Sequence, residues 1–340
     1  MVNSPLTTDV AVIGAGPVGL FAVFECGMLK LDCHVVDALD EPGGQLTALY
    51  PEKPIYDIPG HPEILAGELV AMLEAQAAPF SPVYHMGQQV TKLEPLGGGR
   101  WLLETTKGVV IDAGAVIIAA GVGAFGPNRP PLDHIRDFEG MGPAKGVNYM
   151  VKRREDFRGK KVVIAGGGDS AVDWAVSLAD VADSVKVVHR RPKFRAAPET
   201  VERMTALSEG GNVELVVPYQ LAGLDGDEGG LTSVTVADLD GNARTLEADV
   251  LLPFFGLSQN LGPIAEWGLG IEHNHVTVNM ETMNAGQPGI YAAGDICTYP
   301  GKLKLILVGF SEAARAAHGA RDHIRPEEAY HFEHSTSAGV

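Results

Sequence analysis

The chain has 340 residues, of which 45% are hydrophobic and 20% charged, and its formal net charge is −17 at pH 7. This length suggests about two domains, and the composition is that of an ordinary globular protein. The negative charge argues against extensive nucleic-acid contacts, and no apolar run reaches the roughly 20 residues of a membrane helix. The first residues, 1–9, lack the basic segment of a targeting peptide, so we expect a cytoplasmic protein without membrane contacts.

The first chemical motif is Gly14-Ala-Gly16-Pro17-Val-Gly19, directly after an apolar strand that we predict at 10–13. In such a turn between strand and helix, glycines let the backbone approach a pyrophosphate, which the helix N-terminus attracts. Asp37 ends the next predicted strand, where a carboxylate accepts hydrogen bonds from ribose hydroxyls. A lone glycine motif could be a plain tight turn, but with both flanks and Asp37 it predicts a dinucleotide site.

The same order of strand, glycine turn and helix returns at Gly166-Gly-Gly168-Asp169-Ser170-Ala171, after a predicted strand at 162–165. The interval to the end of the following strand is also the same, but the residues there are basic. They are His189, Arg190 and Arg191, with Arg195 close behind. Arginine pairs with a ribose 2′-phosphate, which a carboxylate would repel, so the second site favours NADP over NAD. A solvated cluster of charges is the alternative.

Each motif is followed by a β-rich stretch, at 83–118 and 213–252, the second with turns predicted at Asp225-Gly226 and Asp240-Gly241. Polar links containing Pro or Gly at 127–131 and 283–288 mark the expected domain crossings, and a helix is predicted from about 311 to 324. We therefore predict the α/β class with two Rossmann-like nucleotide-binding domains, each with the three-layer ββα architecture. The FAD-binding domain would span 1–122 and 285–340, and the NADPH-binding domain 123–284.

The sequence contains three cysteines, and none of them lies in a C-x-x-C or metal-ligand spacing. We therefore expect neither an internal redox dithiol nor a metal, and the electron carrier must be a bound cofactor. Two sites of unlike selectivity indicate tightly bound FAD in the first, which the acidic ribose partner suits, and exchanging NADPH in the second. A hydride would pass between the nicotinamide and the flavin, and this step needs no acid–base pair.

The paired motifs, the segment Gly289-Ile-Tyr-Ala-Ala-Gly-Asp295 and the helix after it resemble the two-domain flavoproteins of the thioredoxin reductase type over nearly the whole chain. The chain departs from them in one respect. Thioredoxin reductases carry a C-x-x-C pair before the second motif, roughly where Tyr149 to Lys152 stand here. Disulfide reduction by an internal dithiol is therefore not expected.

Two further segments resemble the ferredoxin–NADP reductases that share this fold, Gly43-Gly44-Gln45-Leu-Thr-Ala-Leu-Tyr50-Pro51 and the tail His334-Ser335-Thr336-Ser337. The resemblance implies that Tyr50 and His334 stack on opposite faces of the flavin. It also implies other FAD contacts, from the backbone of Val90 at the adenine end, from Phe125 beside the flavin, from Asp295 at the ribityl or phosphate groups, and from the tail through Thr336. Tyr50 as a core aromatic and His334 as an exposed tail residue are the plain alternatives.

The function that this resemblance implies is transfer of a hydride between NADP(H) and FAD and of single electrons between FAD and ferredoxin. Flavodoxin is a possible substitute for ferredoxin, and a homodimer is expected. The densest basic segment, 152–161, is a candidate dock for an acidic ferredoxin or an ordinary solvated segment. Two other functions stay open: another NADPH-dependent flavoenzyme, reducing O2 or a separate disulfide protein, and a non-catalytic nucleotide sensor. A sensor has no need to cover both flavin faces.

Overall fold

A computed structural model describes residues 4–140 and 145–328. The chain forms two compact units, the first from 1–48, 54–125 and 259–340, and the second from 49–53 and 126–258. The helices, numbered in chain order, are α1 (Pro17–Met28), α2 (Gln45–Leu49), α3 (Ala66–Ala77), α4 (Asp169–Leu178), α5 (Pro198–Glu209) and α6 (Ile306–Ile324).

The strands are numbered in the same way. They are β1 (Leu6–Ile13), β2 (Cys33–Val36), β3 (Pro54–Ile55), β4 (Ile64–Leu65), β5 (Val83–His85), β6 (Val90–Leu96), β7 (Arg100–Thr105), β8 (Val110–Ile118), β9 (Ala124–Pro127), β10 (Lys161–Ala165), β11 (Ser184–Val188), β12 (Val213–Val216), β13 (Gln220–Asp227), β14 (Gly230–Ala237), β15 (Ala243–Glu247), β16 (Val250–Pro253), β17 (Leu257–Asn260), β18 (Ile271–Glu272), β19 (His275–Thr277), β20 (Ile290–Ala292) and β21 (Cys297–Thr298).

The first unit is built on a sheet in the order β5-β2-β1-β8-β7-β6, with β20 also paired to β8. The pairs among β5, β2, β1, β8 and β20 are parallel, whereas β6, β7 and β8 form an antiparallel meander. Helix α6 packs on α1 through alanines, and Ala313, Ala316, Ala317 and Ala320 are fully buried. Such small side chains let the two helices approach closely, so the helical layer lies tightly on the parallel part of the sheet.

The second unit has a parallel sheet in the order β12-β11-β10-β16 and an antiparallel meander of β13, β14 and β15. Alternate residues of β10 enter different cores. Val162 and Ile164 pack with the residues of α4, while Val163 and Ala165 pack with those of the meander. A strand that is covered on both faces needs a continuous apolar run, which is what β10 has. The three layers of the predicted α/β fold are therefore present in this unit.

Residues 259–284 pack in the first unit, although the sequence assigned them to the second domain. The predicted crossing at 283–288 therefore comes too late, since the chain leaves the second unit between Ser258 and Gln259. Met283 and Ala285 are buried in the core of the first unit, where a tight turn leads into β20. Turn residues of this kind have the same sequence signature in a tight turn and in a linker, so the pattern alone did not separate the two.

Two local predictions also change. Asp225-Gly226 is an irregularity within β13 rather than a turn. The chain reverses between Asp227 and Gly230, where Gly229 N–H donates to Asp227 Oδ1 at 2.7 Å. The last helix, α6, begins at Ile306 rather than near Ser311. The turn at Asp240-Gly241 is as predicted, with Gly241 at φ +85°. In the part of the chain that the structure describes, no helix is both long and apolar enough to cross a membrane.

The second unit depends on the packing of α4 against its sheet, and Leu178 at the end of this helix is fully buried. We expect Leu178→Ala to lower the free energy of unfolding by about 2–5 kcal/mol, because a cavity would remain in a packed core. Leu239→Ala is the matched control, since Leu239 is 86% exposed, and we expect it to change stability by less than about 0.5 kcal/mol. Denaturant unfolding of both variants measures the loss of stability, and equal losses in the two variants would contradict the role of Leu178 in the core.

Candidate functional site

The first glycine turn joins β1 to α1, and its glycines differ in what surrounds them. A Cβ atom on Gly14, which has φ +108°, would lie 2.4 Å from Ala119 O, and one on Gly19 would lie 1.9 Å from Gly14 O. A Cβ atom on Gly16 would meet nothing within 4 Å. Gly14 and Gly19 are therefore needed for close packing, whereas Gly16 borders open space at the helix N-terminus.

Asp37 follows β2 and is fixed by the backbone around it. Its Oδ2 accepts a hydrogen bond from Ala15 N–H at 2.6 Å, and its Oδ1 accepts one from Leu39 N–H at 2.8 Å. Burial raises the pKa of Asp37, and these backbone hydrogen bonds oppose that rise. Since each carboxylate oxygen can accept two hydrogen bonds, capacity remains for a diol.

The segment at Gly43-Gly44-Gln45 lies against the first turn. Gly43 N–H donates to Ala15 O at 2.8 Å, and a Cβ atom on Gly44 would lie 3.1 Å from Gly16 Cα. Gln45 Nε2 lies 3.6 Å from where a Cβ atom on Gly121 would be. The structure thus brings the predicted Gly44 and Gln45 to the first motif and adds Gly121, which is not in the sequence motif.

Two more predicted residues belong to the same region. Gly294, just before Asp295, lies at the first turn of α1, because a Cβ atom on Gly294 would lie 3.2 Å from Val18 Cγ2. Val90 begins β6 two residues after Gln88, whose N–H donates to Asp37 O at 2.9 Å. Val90 therefore lies close along the chain to a residue hydrogen-bonded to Asp37, and Asp295 lies next to a residue in contact with α1. Both belong to the region of the first glycine turn.

Other predicted FAD residues are placed differently. Tyr50 belongs to the short piece 49–53 of the second unit, where its ring packs on that unit's core and lies 5.5 Å from Lys53 Nζ. Phe125 lies in β9. His334, Ser335 and Thr336 lie outside the described residues. The roles given to these five residues stay predictions.

The second glycine turn joins β10 to α4 and is held by a loop that follows β11. A Cβ atom on Gly166 would lie 2.7 Å from Phe254 O. Arg195 N–H donates to Gly167 O at 2.6 Å, and Asp169 Oδ1 accepts from Ala197 N–H at 2.9 Å. Gly168 precedes α4 as its N-cap, and Ser170 lies exposed in the first turn. The loop and the turn therefore form one structural piece.

His189 is partly buried and packs against this piece. A Cβ atom on Gly167 would lie 2.3 Å from its Cε1, and its ring stacks on Phe194 with centroids 5.1 Å apart. Burial lowers the pKa of His189, and the charges of neighbouring arginines lower it further. The imidazole is therefore neutral near pH 7, and His189 serves as packing behind the basic residues. Gly167, which allows this packing, is a position that the motif itself does not specify.

Arg190, Arg191 and Arg195 are all exposed, and they lie near enough to His189 to influence its pKa. Within residues 4–140 and 145–328, none of the three forms an ion pair with a carboxylate. Exposed arginines that are not neutralised by the protein are suited to pair with a phosphate dianion. The second turn thus has uncompensated positive charge where the first has Asp37.

The basic segment 152–161 is different, because acidic neighbours neutralise most of it. Arg154 donates to Ser177 O and lies 2.6 Å from Asp180 Oδ1. Arg158 pairs with Glu155 at 2.6 Å, and Lys161 pairs with Glu247 at 2.5 Å. Nearby carboxylates therefore largely neutralise the positive charge of the segment 152–161 in the folded chain.

The three cysteines of the chain, Cys26, Cys33 and Cys297, are all buried free thiols. A hydrogen bond with Cys33 and burial raise the pKa of Cys26 well above its usual range. Burial, with the Glu312 carboxylate nearby, raises the pKa of Cys297 to about 12. Since the thiolate is the reactive form, neither Cys26 nor Cys297 is poised for disulfide exchange. No group of three or more potential metal ligands converges within the described residues.

Comparison with known proteins identifies the family and the fold of this chain. Residues 8–321 match the family described as pyridine nucleotide-disulphide oxidoreductase. Among solved structures, the thioredoxin reductase of T. acidophilum is similar with a TM-score of 0.81 and 22% identity, covering 93% of this chain and 98% of that one. The thioredoxin reductase of Lactococcus lactis gives a TM-score of 0.80 and 23% identity, covering 94% and 99%. These structures confirm the predicted thioredoxin reductase-like α/β fold.

Curated relatives are much more similar in sequence. The ferredoxin–NADP reductase of Rhodospirillum rubrum is 65% identical over 341 residues, which cover 99% of this chain and 98% of that protein. The ferredoxin–NADP reductase of Paramagnetospirillum magneticum is 66% identical over 333 residues, covering 98% of both chains. The chain therefore belongs to the pyridine nucleotide-disulphide oxidoreductase family, in the group whose members are named ferredoxin–NADP reductases.

Proposed function

We propose that the chain is an FAD-containing ferredoxin–NADP(+) reductase, with FAD in the first unit and NADP(H) in the second. The contrast between the two glycine turns carries this proposal. Asp37 stands after the first turn, and after the second stand three exposed arginines that pair with no carboxylate in the described part of the chain. The chain would thus recognise two dinucleotides of unlike charge. Its relatives are named ferredoxin–NADP reductases, which agrees with this proposal.

The residues of the first unit fit FAD. Open space at Gly16, the N-terminus of α1 and the remaining acceptor capacity of Asp37 would receive the pyrophosphate and the adenosine ribose. The Asp295 carboxylate has no hydrogen-bond or ion-pair partner among the described residues, so it is available to the ribityl or phosphate groups. The chemistry that FAD supplies when bound is acceptance of a hydride and release of single electrons.

The residues of the second unit fit NADP(H). The turn at Gly166 and Gly168 leads into the N-terminus of α4, which would hold the pyrophosphate. Arg190, Arg191 and Arg195 would pair with the 2′-phosphate, with His189 as neutral packing behind them. In this proposal the protein orients the two cofactors and supplies no acid–base pair.

Ferredoxin as the electron partner is supported by the names of the relatives and by the state of the cysteines. Its three cysteines are buried, and the raised pKa values of Cys26 and Cys297 disfavour the thiolates that reduction of a disulfide would need. Flavodoxin as a substitute, a homodimer, the cytoplasmic location and the stacking of Tyr50 and His334 stay predictions. The largely neutralised segment 152–161 gives little support to a dock there.

The main experiment uses the purified full-length protein. We expect a bound-flavin absorption spectrum and rapid NADPH oxidation when ferredoxin and cytochrome c are present, with slow oxidation by O2 alone or by a disulfide acceptor. A protein without flavin would exclude this function. Rapid turnover of the disulfide without turnover of ferredoxin would instead favour a reductase that serves a separate disulfide protein.

A substitution separates binding from folding at the first turn. We expect Gly16→Ala to fold like the wild type, since its Cβ atom meets nothing within 4 Å, but to lose most of its flavin because the methyl group occupies the space of the pyrophosphate. Gly19→Ala is the contrasting control, because a Cβ atom 1.9 Å from Gly14 O forces the turn apart. We expect that variant to lose about 1–3 kcal/mol of stability.

Flavin content by absorbance and stability by denaturant unfolding check both variants. A Gly16→Ala protein that retains full flavin would contradict the placement of the pyrophosphate.

Selectivity for the nicotinamide cofactor depends on the arginines after β11. We expect Arg190→Ala with Arg191→Ala to lower kcat/KM for NADPH about 10–100-fold, because charged hydrogen bonds to the 2′-phosphate are lost. The value for NADH should be unchanged. Arg158→Ala is the control, since that exposed arginine pairs with Glu155. Steady-state kinetics with NADPH and with NADH gives kcat/KM for each. An equal loss of kcat/KM with both cofactors would contradict recognition of the 2′-phosphate by these arginines.

A further inference from the structure

A buried ion pair lies next to the Gly294-Asp295 turn of the first unit. Lys302 Nζ lies 2.5 Å from Glu312 Oε1 and 2.6 Å from Oε2. The two side chains are only 6% and 0% exposed. Neither the sequence motifs nor the proposed contacts with FAD use this pair.

The pair holds the turn through its backbone. Gly294 N–H donates to Glu312 Oε2 at 2.8 Å, and Gly294 O accepts from Cys297 Sγ at 3.3 Å. Gly294 has φ +81°, a conformation that residues other than glycine rarely adopt. Gly309 of α6 lies against the same turn, because a Cβ atom on Gly309 would lie 3.4 Å from Gly294 Cα. Both hydrogen-bonding groups of the Gly294 backbone are therefore bound by buried partners.

The hydrogen-bonding capacity of Glu312 is filled inside the protein. Besides Lys302 and Gly294 N–H, its Oε1 accepts from Tyr299 O–H at 2.5 Å. Burial and this hydrogen bond raise the pKa of Tyr299 to about 12, so the phenol stays a donor. Asp295, by contrast, has no hydrogen-bond or ion-pair partner within the described chain. One carboxylate thus fixes the turn while the next stays available for a ligand.

We propose that the Lys302–Glu312 pair positions the Gly294-Asp295 turn for FAD, with Glu312 as the acceptor that fixes the Gly294 amide and Lys302 as its counter-charge. This inference rests on the proposed function. Both are positioning residues. In this proposal Lys302 makes no direct contact with FAD or ferredoxin, because its buried ammonium group is bound to Glu312.

Stability alone does not explain the pair. Burying two charges costs about as much as their attraction returns, and apolar side chains of similar size often stabilise a core equally well. What apolar side chains cannot do is accept the hydrogen bond from Gly294 N–H. The geometry of the turn is therefore the property that distinguishes this pair from an apolar replacement.

Two double variants separate positioning from stability. Lys302→Met with Glu312→Gln removes both charges but keeps an acceptor for Gly294 N–H. Lys302→Met with Glu312→Leu removes the acceptor as well. We expect the glutamine variant to bind FAD about as tightly as the wild type and the leucine variant to bind it about tenfold more weakly, the loss of one hydrogen bond. FAD titration of each apoprotein by flavin fluorescence gives the Kd, and thermal unfolding compares the apoproteins.

Equal dissociation constants for the two double variants would overturn the proposal. Arg100→Met is the control for general destabilisation, because it removes the partly exposed pair of Arg100 with Asp112 at 2.6 Å in the same unit. If this variant weakens FAD binding as much as the leucine variant does, the pair acts only through stability and the proposal fails.

Hydrogen exchange gives a second reading that does not depend on the leucine variant. The Gly294 amide of the wild-type apoprotein and of the glutamine variant should exchange slowly, and rapid exchange in either would overturn the proposal. A wild-type protein that binds no FAD defeats the proposed function itself. A wild type that binds FAD, with double variants that do not differ, defeats only this inference.

Discussion

The close approach of Gly19 to the carbonyl oxygen of Gly14 is the constraint on which the first site depends. A Cβ atom on Gly19 would lie 1.9 Å from that oxygen, so α1 can begin directly at the end of β1 only if this position is glycine. The N-terminus of α1 is thereby brought to the carboxyl edge of the sheet, where Asp37 directly follows β2. The second unit has Ala171 at the position equivalent to Gly19, and there the glycine that close packing requires is Gly166, whose Cβ atom would lie 2.7 Å from Phe254 O.

The two junctions share a backbone but differ in electrostatics. In the first, Asp37 is held by two backbone amides, and its carboxylate would repel a second phosphate on the ribose of the proposed FAD. In the second, a neutral His189 fills the space behind three exposed arginines. In the proposed function, the same strand–turn–helix unit therefore binds two different dinucleotides, because specificity would depend on the few side chains after the second strand rather than on the fold.

Local features were predictable from the sequence, and features that depend on distant partners were not. The glycine turns follow from residues within one strand–turn–helix segment, so β1, α1, β10 and α4 were expected. The crossing near 259 was missed because turn residues at 283–288 do not reveal which unit surrounds them. Similarly, Glu312 resembles an ordinary surface acid in a helix. The signal that was available is its position on the same helical face as Gly309, Ala313, Ala316 and Ala320, which is otherwise made of small apolar residues.

The split of the first unit along the chain has a consequence for biosynthesis. β20 and α6 complete the sheet and the helical layer of that unit, yet they lie in its last segment, from 259 onward. On the ribosome, the continuous stretch 126–258 is available in full before these pieces emerge. Strand β8 can pair with β1 and β7 early, but its last residues gain their second parallel partner, β20, only when the chain has grown by more than a hundred residues, as measured from Ile118 to Ile290. The unit that we propose to hold FAD is thus complete only when nearly the whole chain has been synthesised.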